Sequence, residues 1–343
     1  MSAASVAILG AGRMGRGIAL SFAARGVSSV LLDIKPRSPA EFETLRSEAG
    51  QEIELTALTL AGADGAASAG SEAICSRIEL LSRAEADAAL ASAEILFEAV
   101  PETLEAKRLA FAAIADFLPR ETIVASTSST FLSTDIAGLV PEPRRCLNAH
   151  WLNPAYLMPL VEVSPHNDTD PEIVARFVAF LKAHGKVPVM CAPSAGYIVP
   201  RLQALVMNEA ARMVQEGVAA PHDIDKAIRV GFGVRYASMG VVEFIDFGGC
   251  DILNYASDYL AGALSADRFA APEIVVRHVR EGRLGLKTGR GFYDWSDIDL
   301  AEYRRSLIEN LNAHIEQVMR AEHAVRPPSA YDAATMNASE QSQ

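Results

Sequence analysis

Residues 5–33 read SVAILGAGRMGRGIALSFAARGVSSVLLD, and the order of signals within them decides the fold of the first part of the chain. Val6 to Leu9 form an apolar run that predicts a buried strand. Gly10, Gly12 and Gly15 follow in G-x-G-x-x-G spacing, then an amphipathic helix ending near Gly26, a second apolar strand, and Asp33 at its end. Glycines at this spacing are weak evidence alone. Strand, glycine turn, helix, strand and terminal acid within about thirty residues are the fingerprint of a dinucleotide site. Gly10 permits the tight turn, Gly12 lets a pyrophosphate approach the backbone, Gly15 lets helix and strand pack closely, and the helix N-terminus faces the phosphates. Asp33 is placed to bind the adenosine ribose hydroxyls. Its charge disfavours a 2′-phosphate, which predicts NAD rather than NADP, although Lys35 and Arg37 follow closely and pull the other way.

Beyond Asp33 the strand candidates are EILFEAV, TIVAST, CLNAH, PLVEV and VPVM, interleaved in the first half with helical stretches such as TLEAKRLAFAAIADFL. Strands alternating with helices predict an α/β fold, a Rossmann-type, doubly wound and mostly parallel sheet. The strand signal stops after Met190. Leu202, Leu205, Val206, Ala210, Met213 and Val214 then recur at helical spacing up to Gly217, and further helical segments run to about Trp295. The expected organisation is an NAD-binding domain over residues 1–192, an all-helical substrate and dimerisation domain over 193–295, and a C-terminal helix with a loose tail over 296–343. The Ala, Gly and Ser-rich segment LAGADGAASAGSEA, residues 60–73, reads as a mobile excursion from the sheet.

A second stretch, RCLNAHWLNPAYLMPLVEV at residues 145–163, carries the chemistry. His150 closes an apolar run, Asn153-Pro154 breaks the backbone, and Glu162 sits inside the next apolar run. A histidine at a strand end can take the proton of a substrate hydroxyl at neutral pH if a carboxylate on a neighbouring strand orients its ring. A core histidine satisfied by a nearby acid is the competing reading, which the dinucleotide fingerprint disfavours.

Bulk properties fit a cytoplasmic enzyme. The chain has 343 residues, a formal net charge of −12 and 50% hydrophobic residues. Such a charge argues against nucleic acid or an anionic membrane as partner. No apolar run approaches the roughly 18 residues of a membrane helix, and the N-terminus carries no signal-peptide pattern. Cys75, Cys146, Cys191 and Cys250 are scattered, which predicts neither a metal site nor a disulfide framework.

The motifs GAGRMG, EAVPETLEAK, ASTSST, HWLNPAYLMPLVEV, GYIVPRL, GFGVRYASMGVVEF and GLKTGRGFYDW, in this order, resemble the L-3-hydroxyacyl-CoA dehydrogenase superfamily over nearly the whole chain to about Trp295. Within it, VRYASMG and the extra C-terminal helix are similar to the branch containing lambda-crystallin and L-gulonate 3-dehydrogenase, which works on free hydroxy acids. The resemblance implies that His150 is the general base and Glu162 its orienting partner. It implies that Ser128 bonds the reacting hydroxyl, that Asn153 lies by the nicotinamide, and that Glu102 and Lys107 contact the cofactor. On spacing alone Ser128 is equally a turn serine, Glu102 a capping acid and Lys107 part of a solvated helix face. A homodimer through the helical domain is implied in the same way.

Two departures stand out. Where the family has G-F-x-x-N-R, this chain has Gly196-Tyr197-Ile198-Val199-Pro200-Arg201. Proline offers no donor to a substrate carbonyl, but is tolerated at the first position of a helix. Just before Thr127, where many acyl-CoA members carry asparagine, stands Ser126.

Charge separates free acid from thioester. From Ser47 to Ser76 there is no Lys or Arg, while Glu48, Glu52, Glu54, Asp64 and Glu72 are acidic. Such a surface repels the phosphates of coenzyme A. Arg235, in the glycine-flanked GFGVRYASMG segment, is shaped for bidentate capture of a free carboxylate, with an interface ion pair as its alternative. The leading expectation is NAD-dependent oxidation of a small L-3-hydroxy carboxylate. The corresponding acyl-CoA thioester is the close alternative, and a non-catalytic NAD-binding or structural protein is the alternative of another class. Lysine-dependent beta-hydroxyacid dehydrogenases are disfavoured because no lysine lies between Lys186 and Lys226.

Overall fold

A computed structural model describes residues 6–63 and 70–324. They form two compact units, one up to Val206 and one from Met207, with helix Val199–Gln215 running from the first into the second.

The first unit is built on an eight-stranded sheet: β1 Val6–Leu9, β2 Ser29–Asp33, β3 Ile78–Ser82, β4 Ile95–Glu98, β5 Ile123–Ser126, β6 Cys146–Trp151, β7 Leu160–Pro165 and β8 Val187–Met190. The spatial order is β3-β2-β1-β4-β5-β6-β7-β8, so the first six strands follow the dinucleotide-binding order 3-2-1-4-5-6. They pair in parallel, whereas β7 runs antiparallel to β6 and β8 parallel to β7. The reversal at β7 follows from the connection. No crossover helix lies between Trp151 and Leu160, only a short turn around the cis Asn153-Pro154 bond, and a short connection returns a strand antiparallel.

Alternation explains why the central strands read as unbroken apolar runs. Val6 and Ile8 of β1 pack into one core with Phe22 of helix Arg13–Ala23, Phe97, Trp151 and Phe177. Ala7 and Leu9 pack into a second core with Phe111 and Ile114 of helix Leu104–Ile114, Leu96 and Ile136. Both faces are covered, so both sets of side chains are apolar. The amphipathic helices follow the same rule.

The sequence reading missed β3. Ile78–Ser82 is an edge strand with a half-exposed face and an acid, Glu79, among its apolar residues, so it lacks the continuous apolar signal of its neighbours. The segment read as a mobile excursion is largely helical where described: Leu60 to Ala63 complete the 25-residue helix Pro39–Ala63, and Ser71–Cys75 is a further helix. Residues 64–69, with Asp64, lie outside the described residues. β8 is the opposite edge. Its Val187 N–H and the following Cys191 N–H donate to the Pro159 and Val163 carbonyls of the β7 side.

The second unit is helical through Pro221–Ala227, a π-helical turn Ile228–Gly233, Val234–Ser238, Val241–Gly248, Cys250–Ala263, Ala266–Phe269 and Glu273–Arg280. Helix does not continue to Trp295 as expected. Gly285 to Asp294 form a short 3-10 turn and isolated bridges, tied together by buried Asp246, whose carboxylate accepts from the N–H groups of Phe292 and Tyr293 and from Trp295 Nε1. The last described helix is Leu300–Ala324; the expected tail lies outside the described residues. No described helix is long and apolar enough to cross a membrane.

Candidate active site

At the end of β1, Gly10 takes φ +115°, and a Cβ there would lie 2.5 Å from the Ala99 carbonyl oxygen. A Cβ on Gly15 would collide with the Gly10 carbonyl oxygen. Both positions therefore require glycine. At Gly12 a Cβ would meet nothing within 4 Å: the turn is open on that side, as a pyrophosphate seated on its backbone and on the helix N-terminus requires. Gly10 and Gly12 line a cleft of about 760 Å³ that also takes in Asp33, Lys35, Arg37 and Val100, beside the β1–β4 junction where the strand order reverses. Asp33 is largely buried, and its Oδ2 accepts from Arg37 Nε at 2.5 Å. The residues fit a bound dinucleotide.

The second cluster lies on β6 and β7. In the antiparallel register His150 stands directly opposite Glu162, so their side chains share one face. His150 Nδ1 and Glu162 Oε2 are 2.8 Å apart. Glu162 is fully buried, and its Oε1 accepts from the N–H groups of Ile198 at 2.9 Å and Val199 at 2.8 Å, at the start of helix Val199–Gln215. A carboxylate at a helix N-terminus is stabilised by the orphan N–H groups there. With Nδ1 donating to Glu162, Nε2 of His150 is left as the acceptor. Pro200 is the second residue of this helix rather than the first; either position leaves its missing N–H without consequence.

The third cluster spans β4 to the turn after β5. Glu98 and Lys107 are both completely buried, with Lys107 Nζ 2.9 Å from each Glu98 oxygen and 3.1 Å from Glu102 Oε2. Ser126 Oγ donates to Glu98 Oε2 at 2.6 Å. Glu102 Oε1 accepts from Ser128 Oγ at 2.6 Å, from the N–H groups of Ser129 and Thr130, and from Thr130 Oγ1. Burial works against charge on Glu102, but the bonds from Ser128 and Thr130 and the Lys107 ammonium outweigh it and hold its pKa down to about 2. Glu102 is therefore an acceptor only. The Ser128 hydroxyl proton points at it, and Ser128 Oγ accepts from the Phe131 N–H at 2.9 Å.

The structure thus pairs His150 with Glu162 and gathers Ser128, Glu102 and Lys107 into one network. Asn153 is exposed and makes no hydrogen bond among the described residues. Arg235 belongs to the second unit, where its guanidinium lies 4.8 Å over the Phe244 ring and makes no ion pair among the described residues. Lys107 is no part of a solvated face. Two groups escaped the sequence reading. Glu98 carries the signal that singled out Glu162, an acid inside an apolar run. Tyr197 gave no such signal: it is 5% exposed, and its ring stacks on His150 with centroids 5.0 Å apart.

A Rossmann-type sheet that carries this glycine cradle and a buried histidine and carboxylate pair defines a nicotinamide-dependent dehydrogenase. Comparisons with known proteins agree. The family model for the 3-hydroxyacyl-CoA dehydrogenase NAD binding domain matches residues 5–194, and that for the C-terminal domain residues 196–295. A probable 3-hydroxyacyl-CoA dehydrogenase of Caenorhabditis elegans is 33% identical, covering 85% of this chain and 95% of its own length. The lambda-crystallin homolog of Bos taurus is 35% identical over 75% of this chain and 78% of its own. The crystal structure of the Archaeoglobus fulgidus 3-hydroxyacyl-CoA dehydrogenase superposes with TM-score 0.69 at 30% identity, covering 90% of this chain and 98% of that one. The chain belongs to the 3-hydroxyacyl-CoA dehydrogenase family, as an NAD-dependent dehydrogenase acting on a CH–OH group.

Proposed function

We propose that the protein reversibly oxidises the 3-hydroxyl of a small L-3-hydroxy carboxylate, with His150 as general base. The observation that carries this reading is the buried Glu162 carboxylate, which meets His150 Nδ1 on one oxygen and two helix N–H groups on the other. Bound NAD supplies the acceptor for the hydride leaving the substrate carbon. The hydroxyl proton goes to His150 Nε2, and Glu162 holds the ring's orientation and stabilises the imidazolium. Ser128 Oγ donates to Glu102 in the structure and turns that proton to the reacting oxygen when substrate binds, since the single proton of the substrate hydroxyl goes to His150. Gly10 and Gly12 seat the pyrophosphate, Gly15 lets the helix pack close to the strand, Asp33 holds the ribose, and Glu102, Lys107 and Asn153 serve the nicotinamide end.

Cofactor choice tests the Asp33 assignment. NAD is expected to be preferred strongly over NADP, because the Asp33 carboxylate repels a 2′-phosphate and occupies Arg37. Asp33→Ala weakens NAD binding and, by releasing Arg37, narrows that preference; dissociation constants for both cofactors measure it. Equal use of NAD and NADP by the unmodified protein would mean that Lys35 and Arg37 govern the cleft.

The preference for a free acid rests on charge. Glu48, Glu54 and Glu72 are exposed, and Glu52 pairs with Arg16 alone among the described residues, a poor surface for coenzyme A phosphates. Arg235, stacked on Phe244, keeps the in-plane N–H groups that would clasp a carboxylate. Arg235→Met should raise the Michaelis constant for the best free 3-hydroxy acid roughly tenfold to a hundredfold, the worth of a charge-assisted contact, with cofactor affinity unchanged. The relatives named as acyl-CoA dehydrogenases favour the thioester instead. If that reading holds, activity on 3-hydroxybutyryl-CoA exceeds that on 3-hydroxybutyrate and survives the Arg235 change. A homodimer through the helical unit belongs to the proposal, since Ile252, Tyr255 and Tyr259 form an exposed apolar stripe along helix Cys250–Ala263. Sedimentation as a single chain would remove it.

A further inference from the structure

Tyr197 is the one described residue other than glycine with a positive φ, +44°. That conformation costs a bulky side chain free energy and persists only where its surroundings impose it. Here they do. The ring lies nearly parallel to the His150 imidazole, with 16° between planes. The phenol hydroxyl donates to the Ser128 carbonyl oxygen at 2.7 Å and accepts from Asn148 Nδ2 at 2.8 Å. Asn148 Nδ2 also donates to the Phe131 carbonyl oxygen, and its Oδ1 is buried without a partner among the described residues. One side chain therefore touches the proposed base through its face and the backbone of the proposed hydroxyl-binding serine through its tip. The next two residues, Ile198 and Val199, supply the N–H groups that hold Glu162.

We propose that Tyr197 is a positioning residue, whose stacked ring fixes the plane of His150 and whose hydroxyl sets that plane relative to Ser128. The proposal rests on His150 being the base, and the geometry explains why the strain is worth keeping. His150 stands on β6 and Ser128 in the turn after β5, and both act on one substrate hydroxyl. A proton transfer of this kind needs both within hydrogen-bond reach at once, and a small misplacement is expensive. Glu162 constrains the imidazole only at Nδ1, leaving the ring free to tilt about that bond. The Tyr197 face removes the tilt.

Asparagine tolerates a positive φ, so Tyr197→Asn deletes the ring while keeping the turn; Tyr197→Phe keeps the ring and deletes the hydroxyl. The first measurement needs no substrate. In protein carrying 13C-labelled histidine, the His150 ring signal, identified by its loss in His150→Ala, is expected to be single and narrow in the wild type and in Tyr197→Phe. It should be broadened or split in Tyr197→Asn. The second uses whichever of 3-hydroxybutyrate and 3-hydroxybutyryl-CoA turns over. Tyr197→Asn should lower kcat by about a hundredfold and Tyr197→Phe by about tenfold, with NADH affinity within twofold of wild type. Added to His150→Ala, Tyr197→Asn should cost nothing further, because a residue acting through the base has no effect without it. An unchanged His150 signal in Tyr197→Asn overturns the proposal, as does an additive loss in the double variant or a parallel loss of NADH affinity. Should His150→Ala itself remain active, the reading of the base fails instead, and the ring signal still reports on Tyr197.

Discussion

His150→Ala lowers turnover by about a hundredfold or more while NADH still binds, the range expected for losing a general base. The two effects separate because the histidine stands on β6, away from the glycine turn and Asp33 that line the dinucleotide cleft. Fluorescence titration with NADH and steady-state oxidation of 3-hydroxy acids and their thioesters measure both. Near-normal turnover would remove His150 from the mechanism and leave its bond to Glu162 as core packing. The fold should survive the change. Glu162 keeps two of its three hydrogen-bond donors, the Ile198 and Val199 N–H groups, so its carboxylate is not stranded.

Lys107→Met has the opposite profile: it acts first on stability. The ammonium is completely buried and is the only positively charged partner within ion-pair distance of Glu98 among the described residues. Removing one member of a buried ion pair costs roughly 3–5 kcal/mol, because the other charge stays behind without compensation. Val100 N–H and Ser126 Oγ still donate to Glu98, but neither supplies charge. A lower urea midpoint with unchanged slope is the expected result. Adding Glu98→Leu to Lys107→Met should recover much of the loss, since an apolar pair in place of a buried ion pair is often neutral or better. A single variant as stable as wild type would mean that water reaches Glu98. Activity falls too, because Lys107 also fixes Glu102, the acceptor that orients the Ser128 hydroxyl.

What the sequence made legible follows from where the physics is local. The glycine turn, its strands and Asp33 are consecutive, so spacing alone defines them. His150 and Glu162 were legible because a short connection between apolar strands forces side chains near its two ends to face each other. Glu98 carries the same signal, but its partner Lys107 lies on the following helix, where spacing alone reads as a solvated face. Tyr197 lay beyond reach: its role depends on a left-handed backbone and on contacts with Asn148, Ser128 and His150, which meet only once the sheet is assembled. The edge strand β3 was hidden for a related reason, since half-exposed strands do not sustain an apolar run. Helix expected up to Trp295 gave way to a turn because Asp246 claims the Phe292 and Tyr293 N–H groups that a helix would have used.

The last strand of the sheet has a consequence for the protein in a crowded solution. Along β8 the N–H groups of Val187 and Cys191 turn inward to β7, so those of the alternate positions, 188 and 190, turn outward. Position 188 is proline, which has no N–H to offer. Val187 and Met190 beside it are exposed and apolar, the composition on which a stray strand from another molecule would pair. With an outward donor deleted from a four-residue edge, such a strand finds little ladder to extend, and the sheet ends there instead of seeding aggregates.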